Sequence, residues 1–243
     1  MITEDVKNIL KNKMTIIKQE NKNDLCLVGP VRLPVQLEEQ TVTFQWYSWL
    51  ELNGHLSEEE VLDSLNQANL ASSQQSSVLV YGDFKNSEDA RIRMHSICHT
   101  GDIFGSKRCD CGFQLRQSMK MVVENGSGAI FYLAAHEGRG IGLFSKSLAY
   151  LLQQEGFDTV EANHALGFED DMRSYEEAIR VLKELRQKPV TLITNNPKKL
   201  EALRKHGLAV ENHIPLWGDK SDYNSHYLET KVRKSGHIPL EAV

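Results

Sequence analysis

Apolar residues along the chain fall into short strand-like runs separated by amphipathic stretches. From Leu27 to Leu52 the segments LCLVGPVRLPVQL and TVTFQWYSW are rich in β-formers and predict strands. Val78–Tyr81, Ala90–Ile97, Val190–Thr194 and the continuous apolar run Gly128–Ala134 predict further short strands, the last of a length that suits a buried one. Helical spacing appears in between. A helix is expected over Phe113–Glu124, closed by Asn125-Gly126, and another along Ile141, Phe144, Leu148 and Leu151, ending near Gly156. Ser57 with Glu60, and Ser174 with Glu177, have capping-box spacing, and Leu56 with Val61 forms a candidate hydrophobic staple. Asn196-Pro197 opens a helix that closes at Gly207. The polar run at 72–77 reads as a loop inside a domain. Helices thus alternate with short buried strands, which predicts an α/β (α+β) class with a mixed central β-sheet flanked by helices. Residues 1–26 read as an N-terminal extension, in which Thr3 caps a short helix carrying Val6, Ile9, Leu10 and Ile17 on one face. Residues 27–243 read as the main domain.

Composition narrows the functional classes. The chain has 243 residues and a formal net charge of −5, from 28 Lys and Arg against 33 Asp and Glu. An acidic balance argues against duplex nucleic acid as a partner, although local arginines and lysines can still hold a small anion. No stretch of apolar residues reaches the ~18 needed to span a membrane, and the N-terminus lacks a signal-peptide core, so a cytoplasmic location is expected.

The four cysteines are Cys26, Cys98, Cys109 and Cys111. Three lie within CHTGDIFGSKRCDC, a clustering that reads as a metal site rather than a disulfide framework. Zinc favours thiolates, and three protein ligands leave a fourth position for water or substrate. Zinc acidifies a bound water toward neutrality, the chemistry required to attack an electron-poor ring carbon. His95 or His99 could instead complete a closed structural site, so on spacing alone both readings stay open. Cys26 reads as a small buried hydrophobe.

Three further segments have features suited to an anion. Thr194-Asn195-Asn196-Pro197-Lys198-Lys199 places a helix N-terminus beside two lysines, or is simply an Asn cap with solvated lysines. Glu137-Gly138-Arg139-Gly140 combines close backbone approach with an arginine fork, or is an ordinary glycine-rich junction. Asp171 and Arg173 are either a functional couple or a surface pair.

Taken together and in order, RIRMHSICHTGDIFGSKRCDCGFQL, HEGRGIGL, GFDTVEANHALGF, ITNNPKKL and HYLETKVRKSGH resemble GTP cyclohydrolase II, from about Leu27 to Ile238, with the stretch near 55–77 resembling an insertion. The resemblance implies hydrolytic opening of the GTP imidazole ring on the route to riboflavin. It implies zinc, magnesium with the triphosphate, a homodimer, and as products formate, pyrophosphate and a diaminopyrimidinone ribonucleotide phosphate. It assigns the zinc to Cys98, Cys109 and Cys111. Arg173 matches the family's nucleophile toward the α-phosphate, Asp171 its proton acceptor, and Tyr150 a tyrosine near the ring being opened. Arg93, Met94, His95, Ser96, Gln114, Glu137, Gly138, Arg139, Thr159, Thr194 and Lys199 match nucleotide contacts.

Two departures from the family pattern surround this presumed pocket. Ile97 stands where the family usually has Glu, and Leu133-Ala134-Ala135-His136 replaces a polar Arg-Gln pair with one residue more. They motivate a second reading, a divergent relative that takes another nucleotide or stops at the formylated intermediate. A third is a nucleotide-binding protein with a structural zinc and no turnover.

Overall fold

The computed structural model describes residues 2–218 and 220–239. In chain order its regular elements are α1 (Glu4–Lys11), β1 (Met14–Ile17), β2 (Leu25–Leu37), β3 (Gln40–Glu51), α2 (Glu58–Ser64), β4 (Ser77–Tyr81), β5 (Arg91–Ser96), α3 (Cys111–Glu124), β6 (Gly128–Leu133), α4 (Gly142–Gln154), α5 (Thr159–Ala165), α6 (Glu176–Leu185), β7 (Val190–Ile193), α7 (Pro197–Lys205), β8 (Val210–Ile214) and α8 (Ser225–Arg233). One eight-stranded sheet runs β1-β2-β3-β4-β6-β5-β7-β8. Its first half is antiparallel, built on the long β2–β3 hairpin. Its second half, β6-β5-β7-β8, is parallel, with helices in the crossovers. The mixed sheet and its flanking helices agree with the architecture expected from the sequence.

Period-two alternation decides what each face of the sheet does. Ile92 and Met94 of β5, Ala129 and Phe131 of β6, and Leu192 of β7 enter one core with Ile179 and Leu182 of α6 and Leu203 of α7. Ile130 and Ile193 point the other way, joining Phe44, Met119, Val122 and Leu216 beneath α3. The intervening β5 residues, Arg93 and His95, are therefore directed to the α3 side, where the strand ends open into a cleft. Such crevices beyond the carboxyl ends of parallel strands are the usual ligand position in open α/β sheets.

Among the described residues no helix is long and apolar enough to cross a membrane. The Ser57–Glu60 capping box forms as expected. The Ser174–Glu177 box does not form: α6 starts after Tyr175, and the Glu177 carboxylate accepts from the Trp49 indole N–H at 2.9 Å. Instead, Asp158 and Glu161 make a capping box that starts α5, an element the periodicity did not signal. Ile17 lies in β1, which pairs with β2, rather than on the helical face with Val6. Helix α1 bonds to the 55–77 segment through ions: Lys7 reaches Asp63 at 2.7 Å and Lys11 reaches Glu59 at 2.7 Å. Cys26 is buried beside Leu52 and Val61, which pushes its thiol up to about 11.

Candidate active site

The cleft gathers residues from the ends of β5, β6 and β7, from α4 and from α8. After β5 the chain makes a single π-helical turn, His99–Ile103, of a kind frequent at functional sites. This turn brings Cys98 back against Cys109, with the two sulfurs 3.5 Å apart. Cys111 opens α3, two residues earlier than the apolar pattern suggested. All three Sγ atoms lie within 4.8 Å of one another, and tetrahedral thiolates at ~2.3 Å from zinc would stand about 3.8 Å apart. Gly101 makes this approach possible, since a Cβ there would sit 2.9 Å from Cys109 Sγ and 3.2 Å from Cys98 Sγ. Hydrogen bonds from Cys109 and Cys111 hold the Cys98 thiol well below its ordinary value. The donor set and its spacing fit zinc.

Among the described residues no histidine or carboxylate joins this group. His95 is committed elsewhere: its Nε2 lies 3.0 Å from Asp102 Oδ2, which also accepts from the Cys98 N–H at 2.9 Å and the Tyr132 hydroxyl at 3.1 Å. His99 packs edge-on against Phe104.

Second-layer contacts fix the thiol loop. Glu137 is buried, with one oxygen accepting from the His99 N–H at 2.7 Å and the other from Lys146 Nζ at 2.6 Å and the Gly138 N–H at 3.1 Å. Lys146 Nζ also lies 3.3 Å from Cys98 Sγ. Burial opposes the lysine charge, but Cys98, Tyr150 and Glu137 hold the amine protonated, above its ordinary range. Asp110, between two of the cysteines, accepts from Lys231 Nζ at 2.8 Å and Gln114 Nε2 at 2.6 Å. Tyr150 stands one helical turn from Lys146, its hydroxyl 3.4 Å from Thr100 Oγ1 and its ring 4.4 Å beneath the Arg108 guanidinium.

The rest of the cleft is cationic. Among the described residues, nine lysine and arginine side chains line the whole cleft against three carboxylates, the reverse of the chain's overall balance. Arg93 is buried, donating to Gln114 Oε1 at 2.5 Å and the Ile193 carbonyl at 3.3 Å. Lys199 is not solvated. It is buried on α7, donates to the Met94 carbonyl at 2.6 Å, and is driven well below the ordinary lysine value by burial and then by Arg93, Arg173 and Lys231. Asn196 caps α7 by accepting from the Lys198 N–H, and the Thr194 hydroxyl accepts from the Asn196 N–H at 3.0 Å. The junction 138–142 is left-handed at Gly138, Arg139, Gly140 and Gly142. For Arg139 this costs on the order of 1 kcal/mol. The strained backbone sends its guanidinium to Ser235 Oγ at 2.9 Å.

Asp171 and Arg173 form no ordinary surface pair. Nε and one terminal nitrogen of Arg173 donate to the two carboxylate oxygens at 2.7 and 2.6 Å, and the other terminal nitrogen reaches Ser96 Oγ at 3.3 Å. Burial works against the guanidinium charge, but Tyr175 and Asp171 raise its pKa further.

Every site residue expected from the sequence lines the cleft except Met94, whose side chain is in the core; it offers only its carbonyl, to Lys199. The cleft also contains Lys146, Arg108, Tyr227 and Lys231, none of them singled out from the sequence. Lys146 was within reach, because it shares a helical face with Tyr150 at i, i+4.

The chain is 47% identical over 160 residues to the riboflavin biosynthesis protein RibBA of Bacillus velezensis, covering 65% of this chain and 40% of that protein. It is 46% identical over 151 residues to RibBA of Bacillus subtilis strain 168, covering 62% and 38%. The chain thus spans about 40% of the length of these curated relatives. The sequence model of GTP cyclohydrolase II matches residues 65–215, more than half of the chain and the whole of the thiol loop. This chain belongs to the GTP cyclohydrolase II family.

Proposed function

We propose that the chain hydrolytically opens the imidazole ring of GTP, releasing formate and pyrophosphate and yielding a diaminopyrimidinone ribonucleotide phosphate that serves riboflavin synthesis. The observation that carries this reading is the sharing of one cleft by a three-thiol group and a cationic wall. Zinc held by Cys98, Cys109 and Cys111 would supply Lewis acidity and an activated water at neutral pH.

The protein's own residues have separate tasks. Lys199, Lys231 and Arg139 meet the triphosphate, which arrives with magnesium, and Lys199 regains a counter-charge on binding. The Tyr150 hydroxyl stays protonated, because burial raises its pKa, and donates toward charge developing on the opening ring. Arg173 faces the α-phosphate. Its guanidinium is clamped on Nε and held charged, so its role is charge stabilisation on the phosphate rather than nucleophilic attack, with Asp171 keeping it in register. The free thiols suit a reducing cytoplasm. Two copies pair through the exposed apolar residues of α4, Phe144 and Leu151.

Ile97 lines the cleft and favours a second reading, in which the base contacted differs or reaction stops at the formylated intermediate. Incubation of zinc-loaded protein with GTP and magnesium separates these. One formate and one pyrophosphate per GTP are expected. Pyrophosphate without formate supports arrest at the formylated intermediate; if GTP gives neither product, turnover of another purine nucleotide supports the changed base and its absence leaves a non-catalytic binder.

A further inference from the structure

His136 has no counterpart in the mechanism above, yet it is buried at the floor of the cleft, 5% exposed. Its Nε2 lies 2.8 Å from the Ser174 carbonyl oxygen. A carbonyl only accepts, so Nε2 carries the proton. The ring meets Tyr175 edge-on, with centroids 4.9 Å apart, which fixes its plane. In a neutral imidazole the other nitrogen, Nδ1, is then an acceptor, and it lies 3.1 Å from Ser96 Oγ. The Ser96 hydroxyl must donate to it. The lone pairs of Ser96 are thereby turned to the Arg173 terminal nitrogen at 3.3 Å. Burial lowers the imidazole pKa to about 4, so the ring keeps this neutral form at working pH.

We propose that His136 is a positioning residue that orients the Ser96 hydroxyl so that it accepts from Arg173, completing on one terminal nitrogen the clamp that Asp171 makes on the other and on Nε. Without the imidazole, the Ser96 hydrogen loses its acceptor and is drawn to the nearby Tyr175 hydroxyl, which turns the Ser96 lone pairs off the Arg173 nitrogen. This assignment rests on the proposed role of Arg173 at the α-phosphate, and goes beyond it by naming what holds that arginine in place.

The test is a double-mutant cycle with GTP, comparing Ser96→Ala, His136→Leu and the double variant, alongside His136→Gln, whose amide offers both an acceptor and a donor. Misplacing a group that acts on the reacting centre costs on the order of 10- to 100-fold in rate, so Ser96→Ala and His136→Leu should each lower kcat by about that factor. The double variant should be no slower than Ser96→Ala alone, because both remove the same path, and His136→Gln should regain most of the loss. Multiplicative losses in the double variant, or a glutamine variant as slow as the leucine one, would overturn the assignment. A reading that does not depend on turnover is the His136 tautomer, observed in the wild-type protein by long-range proton–nitrogen correlation. Protonation at Nε2 is expected, and protonation at Nδ1 overturns the proposal even if His136→Leu fails to fold. Should wild-type protein form neither formate nor pyrophosphate, the functional reading fails while the tautomer still decides how Ser96 is oriented.

Discussion

Replacement of Lys199 by methionine tests whether the cleft is a cationic cradle kept ready for an anion. Lys199 is 7% exposed and has Arg93, Arg173 and Lys231 as charged neighbours of its own sign. Burial, then repulsion, sets its folded pKa well below the ordinary value, which is near 10.4 for lysine. Between those two values the unfolded chain binds a proton that the folded chain has released. Stability therefore rises with pH across that window, by up to about 1.4 kcal/mol per pH unit for one full proton. Methionine removes this contribution at a similar side-chain length. It also removes the bond to the Met94 carbonyl, a loss of about 1 kcal/mol. The assay is urea denaturation of both zinc-loaded proteins under reducing conditions from neutral to alkaline pH. The stability of wild type minus variant should climb with pH, and inorganic triphosphate should flatten the climb by restoring the charge. A charge-assisted hydrogen bond contributes about 1.5–3 kcal/mol, so the variant should bind triphosphate about 10- to 100-fold more weakly. A pH-independent difference with equal triphosphate affinity would refute the reasoning.

Two further outcomes follow from the same geometry. Gly101→Ala introduces a methyl group 2.9 Å from Cys109 Sγ. Elemental analysis should find well under one zinc per chain while the far-ultraviolet circular dichroism stays native, and a full zinc complement would contradict the cradle. Asp171→Asn leaves the buried Arg173 charge without its carboxylate; a loss of about 2 kcal/mol, or some 4–8 °C in Tm, should accompany a kcat about 100-fold lower, and an unchanged melting curve would show that the pair does not hold Arg173.

What the sequence revealed was mostly local. The thiol loop is legible because its three ligands sit within fourteen positions, and the Ser57 cap and the Asn196-Pro197 start are signalled within a single turn. Elements shaped by distant partners were not. Glu177 has capping-box spacing from Ser174, but the Trp49 indole, 128 positions away, takes its carboxylate. Strand β8, Val-Glu-Asn-His-Ile, is an edge strand with mostly exposed side chains and shows little alternation of polarity. Helix α8 mixes charge with few apolar residues, so its docking through Lys231 onto Asp110 is visible only in three dimensions. Met94 adjoins site residues in sequence, yet the strand's two-residue period turns it inward.

The separation between the thiol loop and α8 also has a consequence for how the protein is made. Cys98, Cys109 and Cys111 leave the ribosome together, well over a hundred residues before Lys231. A nascent chain thus carries all three thiols while the lysine that steadies Asp110 is yet to be synthesised. The loop and the α8 lysine that braces it through Asp110 are therefore joined only late in synthesis, once the chain has closed on itself.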